Sequence, residues 1–60
     1  MKEELDRALA LHKKGQINDA EKIYLDLLKL HPNNSSLTQL LGTLYLQKKN
    51  YDLSEKYLLS

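Results

Sequence analysis

One spacing constrains this chain more than any other: a small-residue pattern recurs with an offset of thirty-four residues. Leu41, Gly42, Tyr45, Ser54 and Leu58 stepped back by that offset land on Arg7, Ala8, Leu11, Ala20 and Tyr24. A fixed period of this size marks a repeated supersecondary unit, each copy burying one face inside itself and a second face against its neighbour. The sixty residues therefore divide into a first unit, 1–34, and an incomplete second unit, 35–60. A chain this short buries only about 60% of the surface that its unfolded form exposes, so its stability is expected to be marginal.

Apolar spacing and turn residues place four helices. In the first, Leu5, Ala8, Leu9 and His12 share one side and Ala8, Leu11 and Gly15 the adjacent one, a broad stripe at helical period. Gly15 ends it, because a residue without a side chain tolerates the left-handed backbone that stops helices, and Lys13 and Lys14 suit the negative end of the dipole. Asn18 is expected to cap the second helix with Glu21 reaching back to it. The inner face of that helix reads Ile17, Ala20, Ile23, Tyr24, Leu27 and Leu28. It stops at His31, since Pro32 disfavours helical backbone in the residue before it and has no amide hydrogen. Asn33, Asn34, Ser35 and Ser36 offer caps for the third helix, which carries Leu37, Leu40, Leu41, Leu44 and Tyr45 with Lys48 and Lys49 in its last turn. For the fourth helix, Asp52 and Glu55 restate the capping pair, and Tyr51, Ser54, Tyr57 and Leu58 continue the inner face. The chain is expected to stop at Ser60 inside that helix.

The spacing resembles the tetratricopeptide repeat, whose pattern runs W-x2-L-G-x2-Y, then A-x3-F, then P. Gly42 and Tyr45, Ala8, Ala20 with Tyr24, and Pro32 carry the resemblance, which extends over about one and three-quarter repeats. Thr38 and Glu4 stand where the pattern has its aromatic, Arg7 where it has leucine, and Ser54 where it has alanine. The resemblance implies an all-α solenoid of antiparallel helix-turn-helix repeats, with four helices and the last truncated.

Composition excludes several function classes. The hydrophobic fraction of 42% with 28% charged residues is that of a globular chain, and no long apolar run suits a membrane. Met1 to Asp6 is charged from its second residue, so no signal peptide is expected and the cytoplasm is the default compartment. Without cysteine there is no disulfide framework and no thiolate metal site. A net charge of +1 gives no field to recruit nucleic acid.

Chemistry-bearing residues are sparse. His12 and His31 lie on different helices without a ligand at three- or four-residue spacing, so neither a metal nor another cofactor is expected, and His31 reads as a helix-terminal cation. The pairs Lys13, Lys14 and Lys48, Lys49 recur one period apart. They read as helix-end residues rather than a phosphate stripe, since no exposed aromatic interleaves with them. Tyr24, Tyr45, Tyr51 and Tyr57 read as core. No nucleophile with a base, and no glycine-rich phosphate loop, is present, so catalysis is not expected here.

Surface recognition remains. The resemblance implies a concave groove that holds a partner protein or peptide, lined by Lys2, Leu5, Leu9, His12 and Lys13 from the first unit and by Ser36, Gln39, Thr43, Leu46 and Gln47 from the second. Leu5 and Leu9 are equally well explained by cover from a neighbouring helix. In the subset of the family that clamps a terminal carboxylate, a lysine and an asparagine stand where Leu5 and Leu9 stand here, so that ligand class is not expected. Two other roles stay open. The chain would serve as the leading section of an enzyme of glycosyltransferase or sulfotransferase type, recruiting its substrate, or it would associate with copies of itself through exposed repeat ends.

Overall fold

Four helices, α1 (Lys2–Lys13), α2 (Ile17–Leu30), α3 (Ser35–Gln47) and α4 (Tyr51–Leu59), make up a computed structural model that describes residues 2–59. They pack in chain order as two antiparallel hairpins, α1 on α2 and α3 on α4, joined where α2 lies against α3. No strand occurs among the described residues. The expectation about Ser60 lies outside them.

The thirty-four-residue offset is visible in the turns. In the first hairpin, Gly15 N–H bonds to His12 O at 3.1 Å and Gln16 N–H to Leu11 O at 2.9 Å. One period on, Lys49 N–H bonds to Leu46 O at 3.0 Å and Asn50 N–H to Tyr45 O at 2.9 Å. Both turns satisfy late helical carbonyls through a residue with left-handed backbone, at φ 86° for Gly15 and φ 63° for Lys49. Pro32 sits in the turn between the hairpins, where His31 N–H bonds back to Leu27 O at 2.9 Å and closes α2.

Helix starts differ from two of the expected caps. Asn18 does not cap α2: the preceding position is Gln16, whose side chain makes no cap bond. Ala20 N–H reaches the Gln16 carbonyl at 3.2 Å, so the tight turn after Gly15 starts the ladder before Asn18 is reached. Similarly, Asn50 rather than Asp52 caps α4, its Oδ1 accepting from Leu53 N–H at 3.4 Å. Among the expected candidates for α3, Asn34 takes the role and accepts from Leu37 N–H at 3.3 Å. Lys48 and Lys49 lie just beyond α3, not in its last turn.

The core is Ala8, Ala20, Tyr24, Leu27, Leu37, Leu41, Leu44 and Tyr45, with partly buried Leu5, Leu11, Ile17, Ile23 and Leu28 packed around it. Each large side chain taken wholly from water contributes about 1.5–3 kcal/mol, so Tyr24, Leu27, Leu37, Leu41 and Leu44 dominate cohesion. Ala8 and Ala20 are both fully buried, which lets α1 and α2 approach closely. In the second hairpin Gly42 and Ser54 hold the corresponding places, and buried Ser54 donates its hydroxyl proton to the Gly42 carbonyl at 2.9 Å. A Cβ at Gly42 would lie 2.5 Å from Cγ and Cδ2 of Leu58, so the absent methyl is what seats that leucine.

The expectation that Tyr51 belongs to the core needs correction. Tyr51 is 61% exposed and takes no part in the core, because it is the first residue of α4 and lies beside the turn. Tyr57 packs against the core as expected, its ring stacked on Tyr45 with centroids 5.6 Å apart. Leu58 stays half exposed and Leu59 mostly exposed.

Candidate functional site

Leu9, His12 and Lys13 follow one another along a single face of α1, since positions three and four apart are neighbours on a helix. Thr43 and Gln47, four apart, do the same on α3. Together these five side chains line a recess of about 280 Å³. The other expected groove residues lie outside it: Lys2, Ser36 and Gln39 are exposed, Leu46 is half exposed, and Leu5 packs partly against the core.

His12 lines the recess and ties three helices together. Its Nδ1 lies 3.1 Å from the hydroxyl of Tyr24 on α2, and its Nε2 lies 2.6 Å from Oε1 of Gln47 on α3. The rings of His12 and Tyr24 meet edge to face at 5.9 Å, a favourable aromatic arrangement. Thr43 is exposed and folds its hydroxyl back along its own helix, donating to the Gln39 carbonyl at 3.0 Å. Burial pushes the Tyr24 phenol above its ordinary value, so the hydroxyl keeps its proton.

A second polar cluster joins the hairpins where α2 meets the end of α3. Tyr45 donates to Glu21 Oε2. Lys48 Nζ donates to Glu21 Oε1 at 3.1 Å and to Asn18 Oδ1 at 3.0 Å, and sits 5.9 Å from the Tyr45 ring centroid. The Tyr45 hydrogen bond, aided by Lys48 and opposed by burial, holds the Glu21 carboxyl below its usual range. Burial first, then the Glu21 carboxylate, drives the Tyr45 phenol well above the usual value. Asn18 and Glu21 thus face a neighbouring hairpin instead of their own helix end. Sequence reasoning missed this cluster because its partners are 24, 27 and 30 residues apart, beyond any local pattern.

A more voluminous recess, about 530 Å³, lies elsewhere: Lys22, Leu25, Asp26, Leu28 and Lys29 of α2 line it with Tyr57 of α4. None of the expected groove residues borders it. Its mixed lining gave no local motif in the sequence. Among the described residues no cluster of three histidine, cysteine, aspartate or glutamate side chains could hold a metal ion. No helix there is long and apolar enough to cross a membrane.

The tetratricopeptide repeat family model matches residues 5–34 and again residues 37–60. The chain belongs to the tetratricopeptide repeat family. Tetratricopeptide repeats are generally protein-interaction modules and typically non-catalytic scaffolds. Comparison with curated proteins and with solved structures gives no match. The two matched segments of this tetratricopeptide chain correspond to the α1–α2 and α3–α4 hairpins.

Proposed function

We propose that units 1–34 and 35–60 form a protein-binding element whose α1 and α3 face takes a partner peptide, with no chemistry of its own. The observation that carries the reading is the convergence of Leu9, His12, Lys13, Thr43 and Gln47 from two units on one recess. An apolar contact at Leu9 beside polar groups suits an extended segment, which needs both side-chain cover and hydrogen-bond partners. Lys2, Leu5, Ser36, Gln39 and Leu46 extend the same reading beyond the recess.

Peptides selected from a random display library, then titrated by calorimetry, test it. Leu9→Glu and Thr43→Glu are each expected to weaken binding tenfold or more, on the order of the loss seen when a central contact is removed. Thr43 is exposed, so its variant separates lost binding from lost folding. Unchanged affinity in both variants sinks the reading.

A second reading, association between copies, is favoured by Leu58 and Leu59, 49% and 78% exposed on α4. Sedimentation equilibrium over a wide concentration range tests it, and monomer throughout rejects it.

A further inference from the structure

We infer that His12 sets the polarity of the recess, turning Gln47 into a hydrogen-bond donor so that the site selects a peptide bearing an aspartate or glutamate side chain; this rests on the peptide-binding reading above. Tyr24 is fully buried, and the partner of its hydroxyl is Nδ1 of His12. A buried hydroxyl proton without an acceptor costs about as much as a lost hydrogen bond and more. The arrangement that satisfies it has Tyr24 donating to Nδ1, which leaves the proton of the neutral imidazole on Nε2. That N–H points at Oε1 of Gln47, 2.6 Å away. An amide oxygen can only accept, so the contact fixes which end of the Gln47 amide is spent on His12. Its NH2 group is the end left for a ligand, on a side chain exposed at the recess.

The remaining lining points the same way. Lys13 brings an ammonium group, three donors and no acceptor. The hydroxyl proton of Thr43 is already given to Gln39. No carboxylate lines the recess, and α3 contains no aspartate, glutamate, lysine, arginine or histidine. A ligand there meets one cation and one amide donor pair, while Leu9 supplies apolar cover. A carboxylate matches both by charge and by its two acceptor oxygens, and charge-assisted hydrogen bonds are the stronger kind. A neutral amide on the ligand forfeits the charge, and a cation meets Lys13.

Two measurements on the full chain test the inference. Imidazole nitrogen shifts from NMR are expected to show His12 as the Nε2–H tautomer, and the Nδ1–H tautomer overturns it. Selection from a random-peptide display library is expected to yield a consensus with aspartate or glutamate at one fixed position. Replacing that residue by its amide should weaken binding roughly tenfold, and Gln47→Glu, on an exposed side chain, should abolish the preference for acid. Binders that lack an acidic position overturn the inference and leave the peptide-binding reading standing. A library that yields no binder at all overturns both.

Discussion

The two hairpins share a backbone and differ in what fills it. Gly15 and Lys49 occupy the same left-handed position, and the flanking bonds are the same to within 0.1 Å. Glycine holds that conformation at little steric cost, whereas a side chain there costs about 1–2 kcal/mol. At the helix crossing, the first hairpin uses two methyl groups, Ala8 and Ala20, under a buried Tyr24. The second removes one methyl at Gly42, adds a hydroxyl at Ser54, and ties that hydroxyl to the Gly42 carbonyl. The small volume is common to both; the chemistry that fills it is not. Tyrosine and leucine also trade places, with Leu11 and Tyr24 in the first unit answered by Tyr45 and Leu58 in the second. Tyr24 is fully buried and meets His12 of α1, whereas Leu58 stays half exposed.

The largest expected effect tests whether the hairpins behave as one body. Leu41 is fully buried in α3, and Leu41→Ala should cost about 2–5 kcal/mol. Urea denaturation followed by tyrosine fluorescence and by circular dichroism should show one coincident transition. Separate transitions would mean that the hairpins are independent units. Gly42→Ala comes next: the new methyl displaces Leu58, and overpacking of about 1–3 kcal/mol is partly offset by better helix propensity of about 1 kcal/mol. Ala8 shows that the first hairpin accepts a methyl at this place, so a silent Gly42→Ala would indicate that Leu58 seats itself just as well in another rotamer.

Stability should also depend on pH through the cluster that joins the hairpins. Because the Glu21 carboxyl is held below its usual range, its contribution is present above about pH 4.3, the value in an unfolded chain. It is lost as the pH falls through the lower folded value. Glu21→Gln should flatten that acid limb in thermal melts, and an unaltered limb would show that the exposed pair contributes nothing measurable. At the alkaline end the sign is set by Tyr45. Its phenol is raised in the folded state, so stability should fall as the pH climbs past about 10, where unfolded tyrosine ionises. The smallest effect belongs to the turns. Gly15→Ala should cost about 1 kcal/mol, and Lys49→Gly should gain a few tenths to about 1 kcal/mol. Changes of the same sign at both sites would contradict the shared backbone.

The order and number of the helices were legible because a period in sequence is a period in space, and because Gly15 and Pro32 mark backbone that few other residues adopt. The caps were less legible. Asn18 with Glu21 satisfies the capping rule as written, yet the turn closed by Gln16 starts α2 two residues earlier, and both side chains are then turned toward Tyr45 and Lys48. Asn50 holds the corresponding position in the second unit and does cap its helix, so the same place in the repeat carries a cap in one copy and none in the other. Tyr51 shows the limit of residue type alone, since a first-turn aromatic beside a turn need not face inward. At the candidate site, the alignment of Leu9, His12 and Lys13 with Thr43 and Gln47 follows from helical spacing in two copies of one unit. The role of His12 does not. Its partners lie 12 and 35 residues away, and only the assembled helices bring the three together.

Gln47 and Lys48 are adjacent in the chain, yet one is held by α1 through His12 and the other by α2 through Asn18 and Glu21. The end of α3 is thereby guyed from two sides, like a mast. The two ties are separate, so breaking one leaves the end of α3 still fastened to the other neighbouring helix.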